Sequence, residues 1–307
     1  MTTSNPTTKV TSPRIKRGAI VVGIALLVLV LLVVATSILT GYGFRLLSFA
    51  RDLPNLAKAA INSSAVTSTT HGDFRNIMFL HHSVGHNLIE QGSVRELFTA
   101  AGYQFWDHDY NYPGLTNPAG NPVGHSYSVP ADNTDPDGLL QIFSQPVLGL
   151  PLNTLSGLMQ HEVIAFKSCF PASDIASDAQ LEERKTWYLK MRDVMDQHRD
   201  HIFVVVTQPP LNPVGTNLRV ATRARAFANW LKSDEFLKGH ANIFTFDLFG
   251  ELAESNPNSP DFNMLREAYR EGTDSHPNRI ANETVGPRFV DFVINSIDRY
   301  RQARPKN

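Results

Sequence analysis

The chain carries no charged residue between Arg17 and Arg45, and within that gap Ala19–Leu39 (AIVVGIALLVLVLLVVATSIL) is almost wholly aliphatic. About 20 consecutive apolar residues suffice to cross a bilayer as one helix, so residues 18–42 are expected to form a transmembrane anchor. A cleavable export signal usually has an apolar region of about 7–15 residues, shorter than this one, which favours a retained signal anchor. Lys9, Arg14, Lys16 and Arg17 precede the segment, whereas Arg45 and Arg51 follow it more sparsely and Asp52 offsets one of them. Basic residues concentrate on the cytoplasmic side of such spans, so residues 1–17 read as a cytoplasmic tail and everything after Tyr42 as extracytoplasmic at a cell membrane. Residues 43–73 then join anchor to domain: Leu47, Ala50, Leu56, Ala57 and Ala60 recur at helical spacing, and Ser63–Gly72 reads as a stalk.

Residues 74–307 are long enough for one sizeable α/β domain. Lys+Arg 28 against Asp+Glu 29 leaves a formal net charge of -1, with no basic run interleaved with aromatics, which argues against a nucleic-acid partner. Cys169 is the only cysteine, so the domain has no internal disulfide and relies on its core; a small buried residue is the expected role of that thiol.

Short apolar runs recur along this domain: Asn76–Leu80, Tyr103–Trp106, Glu162–Phe166, Ile202–Thr207 and Ile243–Leu248. Helical patterns separate several of them. Ser177-Asp-Ala-Gln180 is a capping box opening a helix with Leu181, Tyr188, Met191, Met195 and His198 near one face, and Asn217–Lys232 and Asn278–Tyr300 are further candidates. Strands that are apolar throughout, alternating with helices, predict a mostly parallel five-stranded sheet covered on both faces, a three-layer α/β sandwich. Sites in such sheets lie at the carboxyl ends of the strands. Gly114–Met159 is an exception, rich in Pro, Gly, Asn and Asp and without a clear strand, as long functional loops are. Its Asn133-Thr-Asp135-Pro-Asp137-Gly138 is similar to the start of a calcium loop, but Ser144 stands where the twelfth-position Glu would be.

Two strand ends carry the chemistry. Asn76–Asn87 (NIMFLHHSVGHN) reads as strand, polar turn, then helix, which puts the hydroxyl of Ser83 at a sheet edge beside helix-entry amides able to hold an oxyanion. Gly272-Thr-Asp274-Ser-His276-Pro-Asn278 precedes the last helix, where His276 can act as a general base and Asp274 as its orienting acceptor.

Residues 74–300 resemble the SGNH, or GDSL-type, hydrolase superfamily through four motifs in the expected order. Leu80-His-His-Ser83-Val-Gly85 occupies the place of the nucleophile motif, and Asp109-Tyr-Asn111-Tyr-Pro-Gly114-Leu-Thr116 that of the segment whose glycine amide serves the oxyanion hole. Thr207-Gln-Pro-Pro210 resembles the strand-end turn, and Asp274-Ser-His276-Pro-Asn278 the catalytic acid and histidine. The resemblance implies a flavodoxin-like SGNH hydrolase fold. It also implies a Ser83–His276–Asp274 esterase or deacetylase with no cofactor, with oxyanion donors from Ser83, Gly114 and Ser168, or positive charge from Lys167 in place of Ser168. Its substrate would be an O-acylated carbohydrate or lipid, with hydrolysis or transfer of the acyl group. Three features differ from the family pattern. His81 and His82 replace Gly-Asp, no asparagine follows the middle strand in Phe166-Lys167-Ser168-Cys169-Phe-Pro, and Asp274 is two residues before His276, with Thr273 in the usual place. Trp106, Tyr110 and Tyr112 could stack on a sugar ring, but aromatic residues at strand ends are more often packing.

Two other readings belong to different classes. His81, His82 and His86, with Asp107, His108 and Asp109, supply the donor types of a metal-dependent phosphoesterase or metal-binding domain, although adjacent strand histidines point to opposite faces. A catalytically silent glycan-binding domain is the third reading.

Overall fold

A computed structural model describes residues 72–303 except 110–113, 128, 130–135, 150 and 152, together with Val28 and Leu31, both helical and exposed. The chain divides into residues 1–54 and residues 55–307. Among the described residues no helix is long and apolar enough to cross a membrane; the anchor, tail and stalk expected over 1–71 lie outside them.

The second unit is an α/β fold around a six-stranded sheet. Its strands are β1 (Asn76–His81), β2 (Gln104–Asp109), β3 (Gly114–Thr116), β4 (Val163–Lys167), β5 (Ile202–Val206) and β6 (Ile243–Phe246), in the order β3-β2-β1-β4-β5-β6. All neighbours are parallel except β2 and β3. Five strands coincide with the apolar runs; the sheet has a sixth where none was expected. Strand β3 has three residues inside the Pro/Gly-rich excursion, too few for a periodic signal, and it adds an antiparallel edge to β2. Gly114 opens it at φ +86, and a Cβ there would stand 2.7 Å from the His125 carbonyl oxygen, so only glycine fits.

Successive strand residues face opposite layers. Met78, Leu80, Ile164, Phe166, Phe203 and Val205 pack against α3 (Pro136–Phe143), α5 (Asp178–Gln197) and α6 (Leu218–Leu231). Ile77, Phe79, Val163, Ala165, Val204 and Val206 pack against α1 (Ser83–Gln91), α2 (Val94–Ala100) and α9 (Arg279–Ala303). The short helices α4 (Thr154–Leu158), α7 (Asp234–Leu237) and α8 (Leu248–Leu252) complete the layers. The excursion is therefore not a structureless loop, because Leu139, Ile142, Phe143, Leu155 and Leu158 are core residues. The calcium-like segment runs into α3, whose first turn contains Asp137; Asn133–Asp135 lie outside the described residues.

Caps set the helix starts. Ser177 Oγ accepts the Gln180 amide at 3.2 Å, and Asn217 Oδ1 accepts those of Arg219 and Val220 at 3.1 and 3.2 Å. Leu181, Tyr188, Met191 and Met195 line the buried face of α5, while His198 is its half-buried C-cap. Helix α9 lies against the end of α1 at backbone contact: a Cβ on Gly286 would fall 2.4 Å from the Gly92 carbonyl oxygen. That approach carries the loop before α9 to the edge where α1 begins. From β1 the chain moves to β2 on one side, and β4 lies on the other, so the sheet order reverses at β1, where α/β sheets open a crevice.

Candidate active site

Strand β1 stays apolar until Leu80 and ends at the switch point, and α1 starts at Ser83. The carbonyl oxygen of His82 accepts the amides of Gly85 and His86 at 2.7 and 3.0 Å, closing the first turn. The amides of Ser83 and Val84 precede any intrahelical acceptor, as at every helix start. Ser83 Oγ lies 2.7 Å from His276 Nε2, and both Asp274 carboxylate oxygens lie 2.9 Å from His276 Nδ1. Asp274 can only accept there, so Nδ1 carries the proton and Nε2 is left as acceptor for the serine hydroxyl. Partial burial alone would raise the Asp274 carboxyl, but the hydrogen bonds and charge of His276 outweigh it and hold the group below the ordinary carboxylate range. Phe170 meets the imidazole edge-on, ring centroids 5.0 Å apart.

The loop bearing Asp274 and His276 is tied from outside. Asn212, after β5, donates its side-chain amide to the Gly272 and Asp274 carbonyl oxygens at 3.2 and 2.9 Å, and its backbone amide to Ser275 Oγ at 3.0 Å. Asn278 Oδ1 accepts the Ala281 amide at 3.0 Å, capping α9 directly after His276-Pro277. Asn282 on α9 donates to Gln91 Oε1 on α1 at 2.8 Å, joining the helix that begins at Ser83 to the one that follows His276. A cavity of about 620 Å³ opens over them, lined by Ser83, Asn87, Gln91, Glu271, His276 and Arg279 among others.

The other sequence candidates are distributed differently. Gly114 pairs with Asp109 in β3, and Ser168 is buried beside the Tyr188 hydroxyl; neither lines the cavity around Ser83. Trp106 lies on the opposite face, packed on His161 at 5.5 Å, and is a core residue rather than a sugar platform; Tyr110 and Tyr112 lie outside the described residues. The 207–210 turn is structural: Thr207 Oγ1 accepts the Phe249 amide and the Pro209 carbonyl oxygen accepts the Ser173 hydroxyl.

The histidines and aspartates proposed as metal donors are parted. His81 Nε2 lies 3.0 Å from Asp107 Oδ2, and His86 Nδ1 3.6 Å from Asp109. His108 faces the other layer, where its Nε2 accepts the Tyr127 amide at 2.8 Å, and burial pushes this ring down to about 3. Among the described residues, no three His, Cys, Asp or Glu side chains are grouped as a metal site.

Two further residues that the sequence singled out, Cys169 and Lys167, lie close to the site. Cys169 is buried, as expected, but its Sγ also stands 3.8 Å from Ser83 Oγ. Lys167 is fully buried at the end of β4; desolvation lowers its ammonium group, opposed by the neighbouring Cys169 and Asp109.

No protein-family description matches the chain, and no curated protein matches it. Among solved structures, one similar chain is a GDSL-like lipase from Bacteroides thetaiotaomicron, at 8% identity and a TM-score of 0.45, covering 80% of this chain and 97% of that one.

Proposed function

We propose that residues 74–307 are an SGNH-type serine ester hydrolase. The observation carrying this reading is the continuous hydrogen-bond chain from Ser83 Oγ through His276 to Asp274, assembled across 193 residues of sequence at the sheet's switch point. In the reaction, Ser83 Oγ bonds to the acyl carbon as His276 Nε2 takes the hydroxyl proton. The tetrahedral oxyanion collects against the Ser83 amide at the start of α1. His276 returns the proton to the departing alcohol as its C–O bond breaks, leaving an acyl-enzyme. Water then repeats the sequence, releasing the acid and free Ser83; an alcohol in its place gives transfer.

The cleft lining favours a polar substrate. Among the described residues that line the cavity, Asn87, Gln91, Glu271 and Arg279 present amides and charges. A short O-acyl group on a hydroxyl-rich carrier, such as a carbohydrate, fits better than a lipid. With the anchor over residues 18–42, the enzyme would work outside the cytoplasm on a substrate at the membrane surface. Protease accessibility of intact cells tests that orientation.

Mass spectrometry after treatment with a serine-reactive phosphonate tests the chemistry. Labelling is expected on Ser83, and labelling confined to another residue would overturn the assignment. Hydrolysis of a simple acetyl ester should disappear in Ser83→Ala and ignore chelators. Chelator-sensitive activity surviving in Ser83→Ala would instead return the metal-dependent reading.

A further inference from the structure

Two histidines precede the nucleophile, and the first of them, His81, is fully buried. Its Nδ1 lies 3.0 Å from the carbonyl oxygen of His82, and its Nε2 lies 3.0 Å from Asp107 Oδ2. A carbonyl oxygen can only accept. Asp107 also pairs with the Arg95 guanidinium, itself held by the Phe105 and Asn117 carbonyl oxygens at 2.9 Å each, so its carboxylate is an acceptor as well. Burial would raise that carboxyl, but hydrogen bonding and charge from His81, together with Arg95, more than offset it and keep it ionised below the ordinary range. An imidazole with acceptors at both nitrogens satisfies them only when both carry protons.

The clamp has a mechanical consequence. The His82 carbonyl oxygen that receives Nδ1–H is the same oxygen that receives the Gly85 and His86 amides. One atom thus joins the imidazole to the first turn of α1, with Ser83 between. Gly85 leaves room for this: a Cβ there would stand 2.4 Å from His81 Cβ and 2.7 Å from its Cγ. The charged and titratable groups around the ring come from neighbouring elements: Asp107 and His108 on β2, and Arg95 on α2 through Asp107.

We propose that His81 is a positioning residue, a doubly protonated imidazolium that couples the nucleophile turn to β2 through Asp107 and so sets Ser83 at hydrogen-bonding distance from His276. The proposal rests on the hydrolase reading for the word nucleophile, but the clamp itself is measurable without activity.

The experiment has two arms on the full-length protein. Nitrogen NMR of the ring, with His81→Gln to assign the signal, is expected to show two protonated nitrogens at neutral pH; one unprotonated nitrogen would overturn the clamp. In Asp107→Asn the ring loses its counter-charge while volume is kept, and kcat on an acetyl ester and the rate of phosphonate labelling at Ser83 should fall together, by about 10²-fold, as expected for a misplaced reacting atom. KM should stay within about twofold, since ground-state binding is untouched. Labelling at the unaltered rate in a folded Asp107→Asn protein would overturn the positioning role, and His81→Gln provides the same readout should that variant not fold. If the unaltered protein is never labelled at Ser83, the hydrolase reading and with it the positioning role fall, while the ring signal still decides whether the clamp exists.

Discussion

Asn212 donates its side-chain amide to the backbone oxygen of Asp274 at 2.9 Å, so the acid of the candidate triad is held from the loop after β5 rather than from its own element. The same amide reaches the Gly272 oxygen, and Asn212 is 2% exposed, so little water is at hand to replace it. Asn212→Ala should lower stability by about 1–3 kcal/mol, the usual cost of leaving buried acceptors unsatisfied, and should reduce kcat more than it raises KM. Asn212→Asp keeps the shape but turns a carboxylate toward two carbonyl oxygens, and should be worse than the alanine variant in both urea unfolding and turnover. An aspartate variant equal to or better than alanine would refute this account of the loop.

The three members of the hydrogen-bond chain should not weigh equally. Ser83→Ala and His276→Ala each remove a bond-making or proton-moving atom, and each should cost about 10⁴-fold or more in kcat, with the double variant little worse than either single one. Asp274 is different because its side chain is 58% exposed. Water can take over part of its hold on Nδ1, so Asp274→Asn should cost about 10²-fold. Steady-state kinetics on one acetyl ester check the ranking; an Asp274→Asn loss matching that of Ser83→Ala would mean that the acid does more than orient the ring.

Much of the fold was legible because parallel strands buried on both faces read as unbroken apolar runs, and β1, β2, β4, β5 and β6 announce themselves that way. Ser83 and His276 stood out as candidates for a related reason: each is a polar residue at an abrupt change of pattern, which in a parallel sheet means the carboxyl edge. Strand β3 was not legible, since three residues give no period and its antiparallel pairing with Asp107–Asp109 has no local signal. The partners of His81 and Asn212 were hidden because each lies on another element. Alternation separates His81 from His82, but Asp107 opposite the ring and Arg95 behind it come from β2 and α2, and no local pattern pairs them.

Gly85 offers a test of the space beside Ser83. An added methyl would stand 2.4 Å from His81 Cβ, well inside contact distance, and the His81 ring is fixed at both nitrogens and has no easy retreat. Gly85→Ala should therefore destabilise by about 1–3 kcal/mol as overpacked cores do, despite the better helix propensity of alanine. Its phosphonate labelling rate should fall as well. A stabilised Gly85→Ala protein, read from its urea midpoint, would show that α1 is free to shift away from β1.

Acid sensitivity of the fold should come first from histidines the chemistry does not use. Burial pushes His161 and His108 from 6.5 down to about 3. In the unfolded chain each takes a proton near its ordinary value, so between about pH 6.5 and about pH 3 the unfolded state binds more protons than the folded one. Stability must then rise with pH across that window and be lost as pH falls through it. Asp107 and Asp274 have the opposite origin but act lower: their pKa values are depressed below 3.8, so their stabilisation is intact above that value and fades beneath it. The interval from about pH 6 to about pH 4 thus isolates the histidines from these two carboxylates. His161 Nδ1 lies 2.9 Å from Asn76 Oδ1, and a glutamine amide can donate to that oxygen without titrating. Urea unfolding of His161→Gln should show a shallower decline over the interval, by up to about 1.4 kcal/mol per pH unit for one proton. The half-buried His198, also lowered by burial, is present in both proteins and drops out of the comparison. Parallel declines in the two proteins would mean that His161 takes up its proton without unfolding the domain.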